Sequence, residues 1–330
     1  MKVAILGAAH PHVAYALDEV AARADLELVA VCEPDEQLRS AYLPADLTAP
    51  VYDTAAALLD AHEVDVALVA GVYSRRGEDT RLALEAGAHV LADKPLCTSL
   101  TELDQIAAAA ERHDRYVSVV FEKRAYPPTL ALRRLLADGV LGELALVAST
   151  GPHKLNQPSR PPWFLTRAGY GGIAGDLPVH DIDLVLFLTG ATSGSVSAVT
   201  GNARRQDHPE FDDHVAVLLQ AGNVAATIEA NWLSPQAAEV HGHYRMRLTG
   251  SEGTAELDWA YNTLTVATHD RPTWQEPLGE PRRPAAYFFD ALAAGIEPEI
   301  GTAASLLATR VALLAQRSAD SGGTPETFGT

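Results

Sequence analysis

Residues 3–13 read "VAILGAAHPHV", in which four apolar residues run into a glycine and then into a segment with helical spacing over 12–23. Short apolar runs of this kind recur as far as residue 121 and alternate with Ala- and Leu-rich segments of helical spacing. The later runs are "LELVAVCE" (26–33), "VDVALVAG" (64–71), "AHVLADKP" (88–95) and "YVSVVF" (116–121). Strands and helices that alternate at this pitch are typical of an α/β fold with a doubly wound parallel sheet.

The pattern changes after residue 121. Beyond one more helix, the chain carries longer segments in which apolar and polar residues alternate. These segments are "HVAVLLQ" (214–220), "VAATIEAN" (224–231), "YRMRLTG" (244–250) and "GTAELDWA" (253–260). A period of two over such lengths predicts an open, mostly antiparallel sheet in an α+β domain. We therefore expect one domain at residues 1–121 and a second at 122–330.

Length and charge exclude several classes of protein. With 330 residues, two domains are a better expectation than one. The chain has 25 Lys and Arg against 43 Asp and Glu, a net charge of −18, which disfavours nucleic acid and anionic membranes as partners. The two cysteines, Cys32 and Cys97, suit a reducing compartment. Since the chain shows neither a secretory leader nor an apolar run of about 18–20 residues, a cytoplasmic location is expected.

The glycine turn after the first strand is an incomplete dinucleotide-binding fingerprint. Gly7 fits the first glycine of G-x-G-x-x-G, whereas Ala9 and His12 occupy the second and third positions. Ala9 still allows a pyrophosphate to come close, and the amide groups at the start of the next helix offer an anion site. The predicted cofactor contacts in this turn are Gly7, Ala8, Ala9, His10 and His12. An ordinary strand-to-helix turn is the alternative at this point.

Two further features of the same region concern its ligands. Glu33 lies at the end of the second strand, where an acid accepts hydrogen bonds from the adenosine ribose. Because a carboxylate there repels a 2′-phosphate, the sequence favours NAD over NADP. The "HPH" sequence at 10–12 suggests a metal, but two histidines without a nearby carboxylate or cysteine seldom form a site. No metal is therefore predicted.

Two motifs about 80 residues apart carry a family resemblance. The segments "AGAHVLADKP" (86–95) and "GGIAGDLPVHDID" (171–183) make the sequence similar to the Gfo/Idh/MocA oxidoreductases, the group of glucose-fructose oxidoreductase and inositol dehydrogenase. The resemblance implies a Rossmann domain that binds a nicotinamide cofactor, followed by a domain for substrate binding and oligomerisation. It also implies a polyhydroxylated small-molecule substrate and a homodimer or homotetramer.

The resemblance also indicates which residues meet the cofactor, and where this chain departs from the family. The family's "ATPNxxH" appears here as "AGVYSRR" (70–76), and the glycine of its D-x-G-x-H motif is Pro178. These changes bear on the substrate and on how the cofactor is held. The additional cofactor contacts that the resemblance implies are Gly71, Tyr73, Arg76, Asp93, Lys94 and Pro95.

The second motif predicts the catalytic residues. If a helix starts near Asp176, then Asp176, His180 and Asp183 share one face, and Pro178 fits its first turn. Oxidation of an alcohol needs a base, for which His180 is the candidate, and a group that holds the oxygen, for which Lys94 is the candidate. By resemblance, Asp176 positions the substrate. The structural alternatives are a helix cap at Asp176, a buried structural histidine at position 180, and an exposed strand end at Lys94.

Further substrate contacts are expected from a polar, Pro-rich loop over 151–164 and from the domain junction. His153 and Trp163 lie in the loop, where an indole ring suits the face of a sugar. Arg124 follows the last strand of the first domain. A plain surface loop is about as compatible with 151–164, and Asp181 and Asp183 are expected to be structural.

Together, these features predict an NAD-dependent oxidoreductase that transfers hydride between nicotinamide and a secondary hydroxyl or ketone of a sugar, a sugar derivative or a cyclitol. One alternative is an NAD-dependent glycoside hydrolase or lyase that oxidises the sugar ring only transiently. A second alternative is a non-catalytic NAD(P)-binding regulator that keeps the fold.

Overall fold

In the computed structural model, which describes residues 1–157 and 160–329, the stretch at 3–13 forms strand β1 (Lys2–Leu6), a glycine turn and the start of helix α1 (Val13–Ala22). Five more strands join β1 in one parallel sheet. They are β2 (Glu27–Cys32), β3 (Val51–Tyr52), β4 (Val66–Val69), β5 (His89–Ala92) and β6 (Val117–Val119). The helices between them are α2 (Glu36–Tyr42), α3 (Ala55–Ala61), α4 (Tyr73–Glu85) and α5 (Leu100–His113).

The strand order of this sheet is β3-β2-β1-β4-β5-β6, so the direction of winding reverses between β1 and β4. In doubly wound folds, ligands bind outside the carboxyl ends of the strands at such a reversal. The predicted doubly wound parallel sheet is therefore confirmed, and the glycine turn after β1 lies at the reversal.

A second sheet has nine strands. They are β7 (Leu144–Pro152), β8 (Gly194–Gly201), β9 (His214–Ala221), β10 (Val224–Asn231), β11 (Arg245–Gly250), β12 (Gly253–Asp258), β13 (Thr263–Thr268), β14 (Trp274–Gln275) and β15 (Glu326–Phe328). Their order is β14-β13-β12-β11-β7-β10-β9-β8-β15, and only the β7 and β10 pair among these neighbours is parallel. The predicted open, mostly antiparallel sheet is confirmed.

The remaining helices follow β6. They are a 3-10 helix (Glu122–Ala125), α6 (Pro127–Ala137), a second 3-10 helix (Pro162–Leu165), α7 (Arg167–Tyr170), α8 (Ile173–Asp176), α9 (Val179–Thr189), α10 (Ala286–Ala293) and α11 (Thr302–Asp320). Helix α9 packs against β7, β9 and β10, and its residues from Val179 to Leu186 are buried. The second motif of the sequence therefore lies on the covered face of the antiparallel sheet.

The chain divides into two compact units, each built from several segments. The first unit comprises Met1–Val120, Ala168–Gly171 and Arg283–Thr309, and the second comprises the remaining segments. The expected single boundary at 121/122 does not assign the two later segments to the first unit. The segment at 283–309 belongs there because Phe288 and Phe289 of α10 are fully buried in the same apolar cluster as residues of β1.

Of the helices in the described ranges, none combines the length and the apolar character that crossing a membrane requires.

Candidate active site

The glycine turn of the first unit depends on close contact between two backbones. Gly7 has φ +81°, and a Cβ atom on it would lie 2.2 Å from the Cα of Gly71, which follows β4. The Gly7 amide donates to the carbonyl of Cys32 at 2.7 Å, and the Ala9 amide donates to the carbonyl of Ala70 at 2.8 Å. Only glycine fits this approach at position 7, since a side chain there would be strained and would also clash. This tight turn ahead of α1 is the feature that a dinucleotide-binding loop needs.

Glu33 lies at the same turn and is 4% exposed. Its Oε2 accepts a hydrogen bond from the Ala8 amide at 2.8 Å, and its Oε1 accepts one from the Asp35 amide at 3.1 Å. The guanidinium of Arg39 donates to the backbone carbonyl of Glu33 at 2.6 Å rather than to its carboxylate. The predicted ribose-binding acid therefore also holds the glycine turn in place.

A second acid near this turn was not anticipated from the sequence. Asp79 on α4 is half-buried, and its Oδ2 lies 3.8 Å from where a Cβ atom of Gly71 would be. The pKa of Asp79 is raised to about 6, chiefly by burial, and the charges of Glu78 and Glu33 add to this shift while that of Arg75 opposes it. The turn after β1 is thus acidic on two sides, although no motif distinguished Asp79 from the other acids of a solvated helix.

Asp93, directly after β5, binds donors from three other parts of the first unit. Its Oδ2 lies 3.0 Å from Nδ1 of His10 and 2.9 Å from the guanidinium of Arg76. Its Oδ1 lies 2.9 Å from Nδ1 of His12 and accepts the Lys94 amide at 2.8 Å. Burial opposes ionisation, but Arg76 and the two imidazoles hold the pKa of the Asp93 carboxyl well below its usual range. We call this set of five residues the Asp93 cluster.

The Asp93 cluster shows that one reason for predicting no metal at His10 and His12, the lack of a nearby carboxylate, is wrong. The two histidines do have a nearby carboxylate, because Asp93 brings one from 81 residues along the chain. One possible ligand atom from each of His10, His12 and Asp93 lies within 4.8 Å of the others. However, the Asp93 carboxylate already receives a guanidinium, two imidazoles and an amide, so the protein itself balances its charge. Donors placed in this way fit a role in holding the loop, and we assign no metal here.

Arg76 and Tyr73 of α4 have structural partners within the same unit. Arg76 is fully buried, and its guanidinium donates to the carbonyls of Gly71 and Lys94 and lies 4.4 Å from the centre of the Tyr73 ring. The Tyr73 ring is stacked on that of Tyr170 at 5.8 Å. These contacts connect the ends of β4 and β5, so Arg76 acts on the loop through its contacts with the backbone.

Lys94 is 5% exposed, which excludes the alternative of an exposed strand end. Its backbone belongs to the Asp93 cluster and precedes Pro95 across a cis peptide bond. Placing an amine at the carboxyl end of β5 in a buried environment is costly unless polar contacts compensate for lost water. Such a placement is typical of an amine that meets a ligand.

In the second unit, the prediction that one helix starts near Asp176 is wrong. Asp176 is the last residue of the short helix α8, and Leu177 and Pro178 separate it from α9. Pro178 takes the N-cap position of α9 instead of lying in the first turn of a helix that begins at Asp176. Asp176 therefore cannot be a helix N-cap, and its side chain is fully buried.

Two acids of α9 form buried ion pairs with the 3-10 helix that follows β6. Asp181 lies 2.8 Å from Nζ of Lys123 and accepts the hydroxyl of Ser149 at 2.7 Å. Asp183 accepts two hydrogen bonds from the guanidinium of Arg124, the first at 2.7 Å. These contacts give both aspartates the structural role expected of them. They also commit the guanidinium of Arg124 to α9, which does not favour its predicted contact with substrate.

His180 has a different kind of partner. Its Nδ1 lies 3.3 Å from Oε2 of Glu122, the first residue of the same 3-10 helix, and the ring of Phe121 packs edge-on against it. His180 is 4% exposed and Glu122 is 8% exposed. Glu122 was not among the residues predicted for the site, since no local signal in the sequence links it to a histidine 58 residues later.

The loop after β7 places His153 among aromatic rings. Its ring centre lies 4.7 Å from that of Tyr244 and 5.3 Å from that of Trp232, and its Nδ1 lies 2.9 Å from the carbonyl of Gly151. Trp163 is half-buried and packs at 5.8 Å against the ring of Phe164. Residues 158 and 159 of the same loop lie outside the described residues. His153 thus belongs to an aromatic group whose other members are distant in sequence.

Comparison with known proteins shows the family to which the chain belongs. The model of the NAD-binding Rossmann fold of the oxidoreductase family matches residues 1–121, and that of the GFO/IDH/MocA C-terminal domain matches residues 129–256. The chain belongs to the GFO/IDH/MocA oxidoreductase family. The resemblance carried by the two motifs is therefore confirmed, as is the prediction of an oxidoreductase acting on CH–OH groups with a nicotinamide cofactor.

Two relatives show the range of this family. A candidate oxidoreductase subunit of a UDP-kanosamine synthase from Amycolatopsis mediterranei is 32% identical over 252 residues, 71% of this chain and 68% of the relative. Myo-inositol dehydrogenase Hyg17 from Streptomyces leeuwenhoekii is 27% identical over 304 residues, 89% of this chain and 91% of the relative. Among solved structures, a candidate oxidoreductase from Thermotoga maritima has a TM-score of 0.90 at 24% identity and covers 99% of this chain and 100% of that one. The last likeness concerns the fold alone.

Proposed function

We propose that the protein is an NAD-dependent dehydrogenase or reductase for a secondary hydroxyl or ketone of a sugar, a sugar derivative or a cyclitol. The observation that carries this proposal is the burial of Lys94, Asp176 and His180, which are 5%, 0% and 4% exposed at the positions of the two family motifs. Burying titratable groups is costly, and active sites are places where such groups are gathered despite that cost. The relatives named for an inositol and for a UDP-linked amino sugar support this class of substrate.

The first unit fits the cofactor. The Gly7 turn brings two backbones close together ahead of α1, as a dinucleotide-binding loop requires, and His10 and His12 are held to Asp93 beside it. Glu33 directly follows β2, where an acid would accept hydrogen bonds from the ribose hydroxyls, and this favours NAD over NADP because a 2′-phosphate would meet a negative charge. When bound, the nicotinamide supplies the hydride acceptor for oxidation and the hydride donor for reduction.

The protein's own side chains handle the proton and the oxygen. In the oxidative direction, His180 removes the hydroxyl proton, for which a histidine suits neutral pH. Lys94 donates a hydrogen bond to the same oxygen and stabilises the charge that develops on it. Asp176 accepts hydrogen bonds from the substrate and orients it. His153 and Trp163 offer an imidazole and an indole for the remaining hydroxyls and ring faces.

The test is a screen of sugars, glycosides and inositols, followed by NADH absorbance, with three variants. His180→Ala should lower turnover roughly 10²–10⁴-fold with NAD affinity nearly unchanged. Lys94→Ala should lower turnover and weaken NAD binding as well. Asp176→Asn should lower turnover strongly, because the charge that orients the substrate is lost while the shape of the side chain is kept. Full activity in His180→Ala would overturn the proposed mechanism.

The screen also distinguishes the redox-neutral alternative. A glycoside hydrolase or lyase that oxidises its substrate only transiently would consume substrate while the NADH absorbance stayed constant. Chromatography of the products beside the absorbance trace therefore decides between the two chemistries. A regulator would bind NAD and convert no compound.

We also propose that the antiparallel sheet mediates assembly into a homodimer or homotetramer. Its uncovered face carries large apolar side chains, with Leu146 of β7, Val199 of β8 and Leu218 of β9 each 55–57% exposed. Exposed apolar side chains on one face of a sheet are typical of an interface. Light scattering at micromolar concentration should give a mass of at least two chains, and Leu218→Glu should lower it. A monomeric wild-type protein would contradict this proposal.

A further inference from the structure

Three consecutive residues of the 3-10 helix after β6 each face one side chain of α9, and one of the three pairs is reversed in polarity. In two pairs the 3-10 helix provides the cation and α9 provides the acid, as described for Lys123 and Arg124. In the third pair, the 3-10 helix provides the acid, Glu122, and α9 provides the imidazole of His180. The reversal places a carboxylate beside one ring nitrogen of the proposed base.

We propose that Glu122 is a positioning residue that fixes the tautomer of His180. A neutral imidazole carries one N–H and one lone pair, and a carboxylate can only accept a hydrogen bond. Oε2 of Glu122 lies 3.3 Å from Nδ1, within ion-pair distance but outside hydrogen-bond geometry in this structure. A small rotation of either side chain makes this carboxylate the acceptor for Nδ1, and the proton of the neutral ring then belongs on Nδ1. The lone pair then lies on Nε2, where it can accept a proton from a substrate hydroxyl. Burial of both residues excludes most of the water that would otherwise compete for Nδ1.

In the proposed reaction, His180 takes the proton of the substrate hydroxyl directly, and no other proton acceptor is needed. The O–H bond of the substrate breaks, its electron pair stays on the oxygen, and the proton forms a new bond with Nε2. The ring becomes an imidazolium, and the carboxylate of Glu122, 3.3 Å from Nδ1, stabilises its charge. No proton passes to Glu122, as holds for the aspartate of a Ser-His-Asp triad.

Besides Glu122, the charged and titratable groups on α9 and on the elements that pack against it are Lys123, Arg124, Asp176, Asp181, Asp183, His214 and Glu229. The guanidinium of Arg133, on α6, lies 4.7 Å from the centre of the Phe187 ring of α9.

The cations of that set are bonded to Asp181 and Asp183. His214, on a neighbouring strand, lies 2.7 Å from Asp213, and Glu229 lies on the exposed face of the sheet. Burial raises the pKa of the Tyr244 phenol, with smaller contributions from Glu122 and Asp181, so Tyr244 stays neutral. Glu122 is therefore the charge whose removal should most change the protonation of His180.

This inference rests on the proposed role of His180 as the base, and its test separates the two. The first measurement is ¹⁵N NMR of the full-length protein labelled at histidine, with His180→Gln used to assign the signal. We expect neutral His180 to carry its proton on Nδ1. In Glu122→Gln the amide can donate to Nδ1 instead, so a large share of the Nε2–H form should appear. A wild-type ring protonated on Nε2 would overturn the inference, whether or not a substrate is known.

The second measurement is the pH profile of kcat on whichever substrate the screen identifies. Glu122→Gln should lower kcat roughly 10–10³-fold and move the acidic limb to lower pH, because the imidazolium loses its neighbouring charge. Glu122→Asp should recover part of the rate, and Glu111→Gln, on an exposed position of α5, is the matched control. If His180→Ala is inactive while Glu122→Gln keeps the wild-type rate and profile, this inference fails and the proposed function stands. If His180→Ala is fully active, the proposed function fails while the NMR result still decides whether Glu122 sets the tautomer.

Discussion

Each of the two units combines imidazoles, acids and cations in a buried cluster, but they do so in different ways. In the first unit a single carboxylate, that of Asp93, receives two imidazoles, a guanidinium and an amide. In the second unit the 3-10 helix and α9 form separate pairs, each with its own acid. In the first unit, one residue, Asp93, holds a whole loop. In the second unit, the pair of Glu122 and His180 is available for catalysis while the other two pairs hold α9 in place.

The largest effect should come from the shared carboxylate. Asp93→Asn keeps the shape of the side chain but removes the charge that Arg76, His10 and His12 surround. Breaking a buried ion pair by removing one partner typically costs about 3–5 kcal/mol, and we expect a loss of this size. Urea unfolding at pH 7 measures it, with Asp18→Asn on the exposed side of α1 as the control. A loss below about 1 kcal/mol would show that the cluster does not depend on Asp93.

Most of the fold was predictable because its signals are local. The alternation of apolar runs with helical segments predicted the parallel sheet, and the period of two predicted the antiparallel one. The membership of α10 in the first unit was not predictable in this way. Phe288 and Phe289 mark a buried helix, but an apolar pattern does not say which core will bury it.

In the candidate site, too, the contacts between segments distant in sequence could not be predicted. Motifs identified Lys94, Asp176 and His180, yet the partners of the titratable groups come from distant segments. Asp93 meets His12 across 81 residues, and this contact was foreseeable in part, since both follow strands whose carboxyl ends share one edge of a parallel sheet. The contact between Glu122 and His180 depends on how a helix packs on an antiparallel sheet, for which the sequence carries no local signal.

A smaller effect on stability should appear on acidification, again in the first unit. Burial lowers the pKa of His10 to about 3, whereas an unfolded histidine titrates near 6.5. Below pH 6.5 the unfolded chain therefore binds a proton that the folded one does not, so His10 makes the protein less stable as the pH falls. The depressed pKa of Asp93 adds to this loss only below its usual value of 3.8.

The measurement is the free energy of unfolding at pH 6.5 and at pH 5 for the wild type and His10→Gln. At roughly 1.4 kcal/mol per pH unit for one proton, we expect the wild type to lose about 1–2 kcal/mol more than the variant over this interval. The difference between the two proteins removes contributions such as that of Asp79, whose raised pKa acts in the opposite direction. His269→Gln, at an exposed position, is the control for the effect of losing any one imidazole on the stability. If the free energy of unfolding falls equally with pH in the wild type and in His10→Gln, His10 does not contribute to the acid sensitivity.

The smallest effect concerns Glu33, a second carboxylate of the first unit. The test asks whether Glu33 only holds a loop, as Asp93 does, or also contributes to the function, as proposed for Glu122. Glu33 is bonded to two backbone amides, like a structural acid, yet it lies where the cofactor ribose is expected. If it also meets the ribose, NAD should bind at least tenfold more tightly than NADP, a difference of about 1.4 kcal/mol. Glu33→Gln removes the repulsion of a 2′-phosphate, so it should bring the two affinities within a few-fold of each other. Because its single amide oxygen can accept from only one of the two backbone amides, the melting temperature should also fall. Calorimetric titration of both cofactors measures this, and equal affinities in the wild-type protein would restrict Glu33 to holding the glycine turn.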